Sequence, residues 1–207
     1  MTAINVLRLE RLVVGNLDEV NLDVAPGDIV CLSGASGSGK SRLLRAVADL
    51  ESHGGEVWLA GRAQSTMPAH RWRRRVMLVP AESQWWSDRV GEHFPGGIED
   101  DDLDALGFER EVMSWQVGRL SSGEKQRLAL LRGISRRPSA LLLDEPTANL
   151  DEAATRRVEA WLQAKIRGSG WPVLWVAHDK EQIARVAYRH LHIDGSRLLA
   201  QAVATWM

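Results

Sequence analysis

The sequence predicts an α/β fold with a mainly parallel core sheet and an antiparallel β edge. Three observations carry this. Four apolar runs of strand length recur, at 28–34 (DIVCLSG), 76–79 (VMLV), 140–143 (ALLL) and 173–177 (VLWVA). Such unbroken runs mark strands buried on both faces. Helical segments alternate with them and supply the crossovers that parallel strands need. The first strand-like segments, in contrast, are joined by short turns, which suits antiparallel pairing at one side.

The elements follow in order. Residues 5–14 (NVLRLERLVV) and 20–24 (VNLDV) have strand character, the second alternating cleanly. Pro26-Gly27 marks a turn before the buried strand at 28–34. Residues 41–52 read as a helix, with Leu43, Leu44, Val47, Ala48 and Leu50 on or near one face. His53-Gly54-Gly55 breaks it, and 56–61 (EVWLAG) is a short strand. The basic run 70–75 (HRWRRR) reads as a solvated loop, followed by the strand at 76–79. Residues 101–108 and 110–117 look like short helices. A helix over 122–136 precedes the strand at 140–143. A long amphipathic helix at 152–167, a strand at 173–177, a helix at 180–187 and a last strand at 190–194 complete the chain.

Bulk properties narrow the function classes. A chain of 207 residues is expected to form one domain. Its net charge of −1 gives no general pull toward nucleic acid or anionic lipid, so no nucleic-acid partner is expected. Cys31 stands alone in an apolar run and reads as a buried filler in a reducing compartment. Charges at the N-terminus argue against a signal peptide, and no apolar run has the length of a membrane span. The acidic run 99–104 (EDDDLD) lacks the spaced ligands of a calcium loop and reads as a solvated helix start.

The chemistry begins at Gly34, Ala35, Ser36, Gly37, Ser38, Gly39, Lys40 and Ser41, a G-x-x-x-x-G-K-S loop between a predicted strand and a predicted helix. Glycines let the backbone wrap a polyphosphate, and the amides and helix N-terminus point at the anion. Lys40 places a charge on the β/γ phosphates and the Ser41 hydroxyl can ligate Mg²⁺. The strand at 140–143 delivers Asp144, a second Mg²⁺ partner, with Glu145 beside the γ-phosphate position as a candidate base. His178 ends the next buried strand, on the same side of a parallel sheet. Trp85 and Trp86 stand together in a turn after 76–79, where one ring can pack inward while its neighbour faces out. The alternative is that both are core residues.

The segment 120–133 (LSSGEKQRLALLRG), followed by 144–151 (DEPTANLD), makes the chain resemble the ATP-binding cassette (ABC) family over essentially its whole length. The resemblance implies a P-loop NTPase of ABC type with a small helical lobe, roughly 83–136. It implies ATP and Mg²⁺ as ligands, and Ser121 and Gly123 as contacts to the γ-phosphate across a head-to-tail dimer with a second copy or a related cassette. Asn149, Leu150 and Asp151 match the loop that crosses that interface, and His178 the switch histidine. An integral-membrane permease subunit is the implied partner, reached at the cytoplasmic face through a groove where Trp85 and Trp86 are candidate docking residues. The wording is similar to small export-type bacterial ATPases. A soluble ABC ATPase serving metal-cluster assembly is the alternative. No guanine-reading N-K-x-D and no heptad tract support other P-loop classes, and nothing beyond the last strand suggests an appended regulatory domain. Three departures stand out: Ser122 replaces a signature glycine, Ala81 replaces a glutamine that helps hold Mg²⁺, and no aromatic precedes Trp58 to stack on adenine. Glu82 is the expected substitute ligand, with Gln84 or water behind it, and Leu12 or Val14 the expected apolar contact for the base.

Overall fold

The computed structural model describes residues 5–203. In chain order these form β1 (Leu7–Val14), β2 (Leu17–Val24), β3 (Ile29–Gly34), α1 (Lys40–Val47), β4 (Gly54–Leu59), β5 (Arg62–Ala63), α2 (Ala69–Arg75), β6 (Val76–Val79), α3 (Asp100–Ala105), α4 (Ser122–Ser135), β7 (Ala140–Asp144), α5 (Glu152–Ser169), β8 (Val173–Val176), α6 (Lys180–Val186), β9 (Arg189–Asp194) and β10 (Arg197–Gln201). Strands β10-β9-β3-β8-β7-β6 make the core sheet, parallel except for the β9–β10 hairpin at one edge. The early strands pair antiparallel as expected, but in a sheet of their own, ordered β2-β1-β4-β5.

Each face of the core sheet has its own apolar layer, because successive side chains on a strand point to opposite faces. Val30 and Leu32 join Leu7, Leu9, Leu43, Val47, Leu142 and Leu174 between the two sheets. Ile29 and Cys31 join Leu141, Leu143, Trp175, Val158 and Leu162 beneath α5, in a cluster that continues to Leu103 and Leu128 on the helices between β6 and β7.

Several local features differ from the sequence reading. The first helix stops at Val47; Asp49 adopts φ 59° and Leu50 is exposed. The basic run 70–75 is not a loop but most of α2. Its single buried residue, Trp72, donates its indole N–H to the Val47 carbonyl at 2.9 Å, while Arg73 Nε donates to the Asp49 carbonyl. One buried tryptophan thus fixes the helix and leaves the arginines outside. Residues 110–117 form 3-10 turns rather than a helix. The two-residue β5 and the solvent-facing β10 gave no apolar run to read.

A bulge in β1 shifts its alternation. Arg11 takes φ 47°, so the buried positions run Leu7, Leu9, Leu12, Val14. Opposite it, Gly55 has φ 75°, and a Cβ there would come within 2.2 Å of the Arg11 carbonyl oxygen; only glycine fits. Leu12 and Val14 are therefore core residues, and neither is available to a nucleotide base. Val13, between them, is exposed.

Removal of the Trp72 anchor should be costly. Trp72→Ala is expected to destabilise the chain by about 3–5 kcal/mol, the usual scale for a buried aromatic. Trp72→Phe should cost about 1–3 kcal/mol by leaving the Val47 carbonyl unpaired. Urea unfolding midpoints measure both.

Candidate active site

The parallel strands β3, β7 and β8 end at one edge of the core sheet and deliver the phosphate loop, Asp144 with Glu145, and His178. Two backbone hydrogen bonds extend the ladder past the strand ends: Glu145 N–H to the Val176 carbonyl at 3.2 Å, and Ala177 N–H to the Leu32 carbonyl at 3.1 Å. The three segments are thereby held in register up to the reactive side chains.

The phosphate loop is preformed. Lys40 is buried and Nζ donates to the Gly34 and Ala35 carbonyls, each at 2.9 Å, so it folds back across its own loop. Gly34 has φ 152°, and a Cβ on it would meet Ser38 Oγ at 2.8 Å and the Ile193 carbonyl at 3.0 Å. Ser38 Oγ is itself buried without a partner among the described residues. A cradle too tight for a Cβ, holding an unpaired hydroxyl, suits the oxygens of a phosphate.

Burial dominates the charges around it. It lowers the Lys40 pKa, an effect the nearby Glu145 and Asp144 charges oppose. It raises the Asp144 pKa above the ordinary carboxylate range, reinforced by Glu145 and opposed by a hydrogen bond from Ser41 and the charges of Lys40 and His178. A buried carboxylate beside a serine hydroxyl is a fitting pair of oxygen ligands for a divalent cation. Glu82, in contrast, is exposed after β6, and the charges acting on Asp144 are those of Glu145, Lys40 and His178.

Glu145 occupies a non-glycine left-handed conformation, φ 48°. Such backbone is uncommon and tends to gather at functional sites. It turns the carboxylate toward β8, where His178 Nε2 donates to Oε1 at 2.8 Å. Both lie on a cleft of about 480 Å³ with Thr147, Gln182 and Arg185. Behind the cleft, buried Gln182 donates to Thr147 Oγ1 and Glu159 Oε1, and Arg185 pairs with Glu159. This network fastens the 144–151 loop to α5 and α6.

Ser121 and Gly123 open α4, well apart from the loop in sequence. Ser121 is its N-cap: Oγ accepts from the Glu124 N–H at 3.2 Å, and Glu124 Oε2 accepts from the Ser121 N–H and hydroxyl, each at 2.8 Å. The bond from the Ser121 backbone leads the causes that hold Glu124 below its ordinary pKa. Gly123 packs near Asn149, whose carbonyl would lie 3.1 Å from an added Cβ. Asp151 caps α5 through the Ala154 N–H. Trp85 is half-buried against the cluster beneath the core sheet, whereas Trp86 is 65% exposed. The reading in which both are core residues therefore fails. Both rings meet His93 edge-on, and the Arg132 guanidinium lies over each.

Two features escaped the sequence reading. Ser33, one residue before the loop, contacts His190 Nε2 at 2.7 Å and His192 Nδ1 at 2.8 Å. Their i, i+2 spacing on β9 was the available signal. Arg42, directly after Ser41, stands against the β1–β2 turn; nothing in its sequence position marks that contact.

A strand, a phosphate-cradling turn and a helix at the carboxyl edge of a parallel sheet define a P-loop nucleotide-binding protein. More narrowly, the chain belongs to the ABC transporter family, which matches residues 17–148. It is 36% identical over 197 residues to the Fe(3+) ions import ATP-binding protein FbpC of Streptomyces avermitilis, covering 88% of this chain and 56% of that protein. It is 35% identical over 189 residues to the aliphatic sulfonates import ATP-binding protein SsuB of Cupriavidus necator, covering 88% and 62%. The probable iron export ATP-binding protein FetA of Escherichia coli is 32% identical over 179 residues, covering 81% and 80%. The chain thus spans somewhat more than half the length of the two import relatives. A bacterial Atm1-family ABC exporter with ATP bound shares the fold, with TM-score 0.83 and 23% identity over 96% of this chain and 39% of that one.

The raised Asp144 pKa has a measurable consequence. Ionised Asp144 opposes folding above its folded-state pKa, and that opposition fades as pH falls through it. Asp144→Asn should therefore raise the melting temperature of the ligand-free chain at neutral pH. The same variant should lose the extra thermal stability that nucleotide with a divalent cation confers. Thermal unfolding with and without both ligands checks the two halves together.

Proposed function

We propose that this chain binds ATP with Mg²⁺ and hydrolyses it to ADP and phosphate as the energy-supplying subunit of a membrane transporter. The observation that carries the reading is Glu145, turned to His178 at 2.8 Å beside the Lys40–Ser41–Asp144 group. The phosphate loop and Lys40 would hold the β and γ phosphates. Mg²⁺, held by Ser41 and Asp144, would neutralise charge on the phosphate oxygens. Glu145 Oε1 is engaged by His178, leaving Oε2 to take the proton of a water as its oxygen forms a bond to the γ-phosphorus and the bond to the leaving ADP oxygen breaks. His178 keeps the carboxylate oriented. Glu82 is the residue to test as a further cation ligand, through the Mg²⁺ dependence of Glu82→Ala.

Ser121 and Gly123 would complete the site of a second copy, or of a related cassette, in a head-to-tail dimer. The permease surface is a groove of about 270 Å³ between β6 and α4, lined by Arg74, Met77, Pro80, Trp86, Arg132 and Arg136. Ser83 Oγ, Trp85 Nε1 and His93 Nδ1 beside it are buried without partners among the described residues. An exposed tryptophan and three arginines suit an acidic, amphipathic segment of a cytoplasmic loop. No helix among the described residues is long and apolar enough to cross a membrane. The relatives carry import and export names alike, which favours transport over a metal-assembly role and leaves direction to the permease.

Glu145→Gln should keep ATP affinity and lower turnover by about 10²-fold or more, the scale of lost general-base catalysis. Wild-type turnover in that variant contradicts the role. Lys40→Ala should instead lose ATP binding. Trp86→Ala should leave folding and solution turnover intact while weakening permease binding by about 2 kcal/mol; unchanged permease binding in that variant would contradict the docking role.

A further inference from the structure

The nucleotide reading leaves the base without a partner, and the β1–β2 hairpin supplies one. The core sheet runs β9-β3-β8-β7 across the site, with the phosphate loop at the end of β3. Asp144, Glu145 and His178 lie on the β7–β8 side, which assigns the γ-phosphate end there. The base must then leave on the β9 side. That side is walled by the hairpin turn: Asn16 Nδ2 donates to the Gly195 carbonyl, in the β9–β10 turn, at 3.1 Å. Asn16 Oδ1 would lie 3.2 Å from a Cβ added to Gly39. The hairpin therefore sits directly over the exit of the phosphate loop.

What stands in that corner is Arg42, in the first turn of α1. A Cβ on Gly15, at the hairpin tip with φ 61°, would meet Arg42 Nη1 at 2.6 Å, Cζ at 2.9 Å and Nε at 3.3 Å. Only a glycine lets the guanidinium lie so close. Glu51 holds it from behind, with Nε–Oε1 at 2.5 Å, and also pairs with Arg45 at 3.6 Å. The Arg42 side chain is 56% exposed, so it is anchored yet has an open surface. Val13 adds an exposed apolar edge on the same hairpin.

Among the described residues no phenylalanine, tyrosine or tryptophan is seen to reach this corner. Residues 1–57 contain no phenylalanine, tyrosine or tryptophan. Trp58 pairs with Arg8, six residues along β1 from Val14 and so about 20 Å away at 3.3 Å per residue. The Tyr188 N–H bonds to the Ile29 carbonyl, at the opposite end of β3 from the loop.

We infer that Arg42 is the base-recognition residue, its guanidinium forming the plane on which the purine stacks, backed by Gly15 and positioned by Glu51. This rests on the proposed nucleotide site and adds its specificity. Guanidinium planes stack on bases through the π face, and every base has such a face, so stacking alone does not read the exocyclic groups. ATP and GTP should bind alike.

The test is a set of dissociation constants for ATP, GTP and inorganic tripolyphosphate, each with Mg²⁺. The wild type should bind ATP and GTP within about threefold of one another. Arg42→Ala should weaken both nucleotides about tenfold, the scale of one stacked base, and leave tripolyphosphate within about twofold. Arg42→Lys keeps the charge without the plane and should behave like the alanine variant. Tripolyphosphate weakened as much as ATP would make Arg42 a phosphate ligand and overturn the inference. Full ATP affinity in Arg42→Lys, or more than tenfold preference for ATP over GTP in the wild type, would overturn it equally. A wild type that binds none of the three removes the nucleotide site as well, whereas changes confined to the Arg42 variants bear on this inference alone.

Discussion

The site depends on the ladder of the parallel sheet continuing past its own strand ends. Glu145 N–H reaches the Val176 carbonyl and Ala177 N–H the Leu32 carbonyl, so β7, β8 and β3 stay in register where the chain turns into reactive loops. A backbone hydrogen bond contributes only about 1 kcal/mol net. Its larger effect here is geometric, because a reactive group misplaced by about 1 Å can lose orders of magnitude in rate. The apolar layers on both faces of the sheet hold these strands and leave the loops free to carry polar residues.

On that edge the protein accepts unfavourable local states. Asp144 is buried enough to raise its pKa, Lys40 enough to lower its own, and Glu145 holds a left-handed backbone. Each cost is offset in place: Ser41 and Lys40 oppose the rise at Asp144, two carbonyls receive Lys40, and His178 bonds Glu145. A polyphosphate with a divalent cation would relieve the same groups further, since it brings negative charge to Lys40 and positive charge to Asp144. The pattern is that of a site shaped for a ligand rather than for the stability of the empty chain.

Much of this was legible because buried parallel strands write themselves as apolar runs and the phosphate loop has a fixed spacing. Residues 28–34, 76–79, 140–143 and 173–177 placed Gly34, Asp144, Glu145 and His178 at strand ends without coordinates. What escaped did so for physical reasons. The Arg11 bulge shifts the alternation of β1 by one, burying Leu12 and Val14 and exposing Val13. Trp72 is the one buried residue of α2, too few to show a helical period. β10 lies on an exposed edge, where the sequence needs no apolar alternation. Arg42 meets Gly15 across 27 residues of chain, a contact that local pattern cannot reveal.

The central claim is that the site is completed between two cassettes, with Ser121 of one facing the phosphates held by the other. Sedimentation of the Glu145→Gln chain with and without Mg²⁺ and ATP tests this most directly. The account predicts a monomer without nucleotide and a dimer with it, and predicts that Ser121→Arg in the same chain restores the monomer. A chain that stays monomeric in saturating ATP, while the wild type hydrolyses at a rate independent of protein concentration, would contradict it.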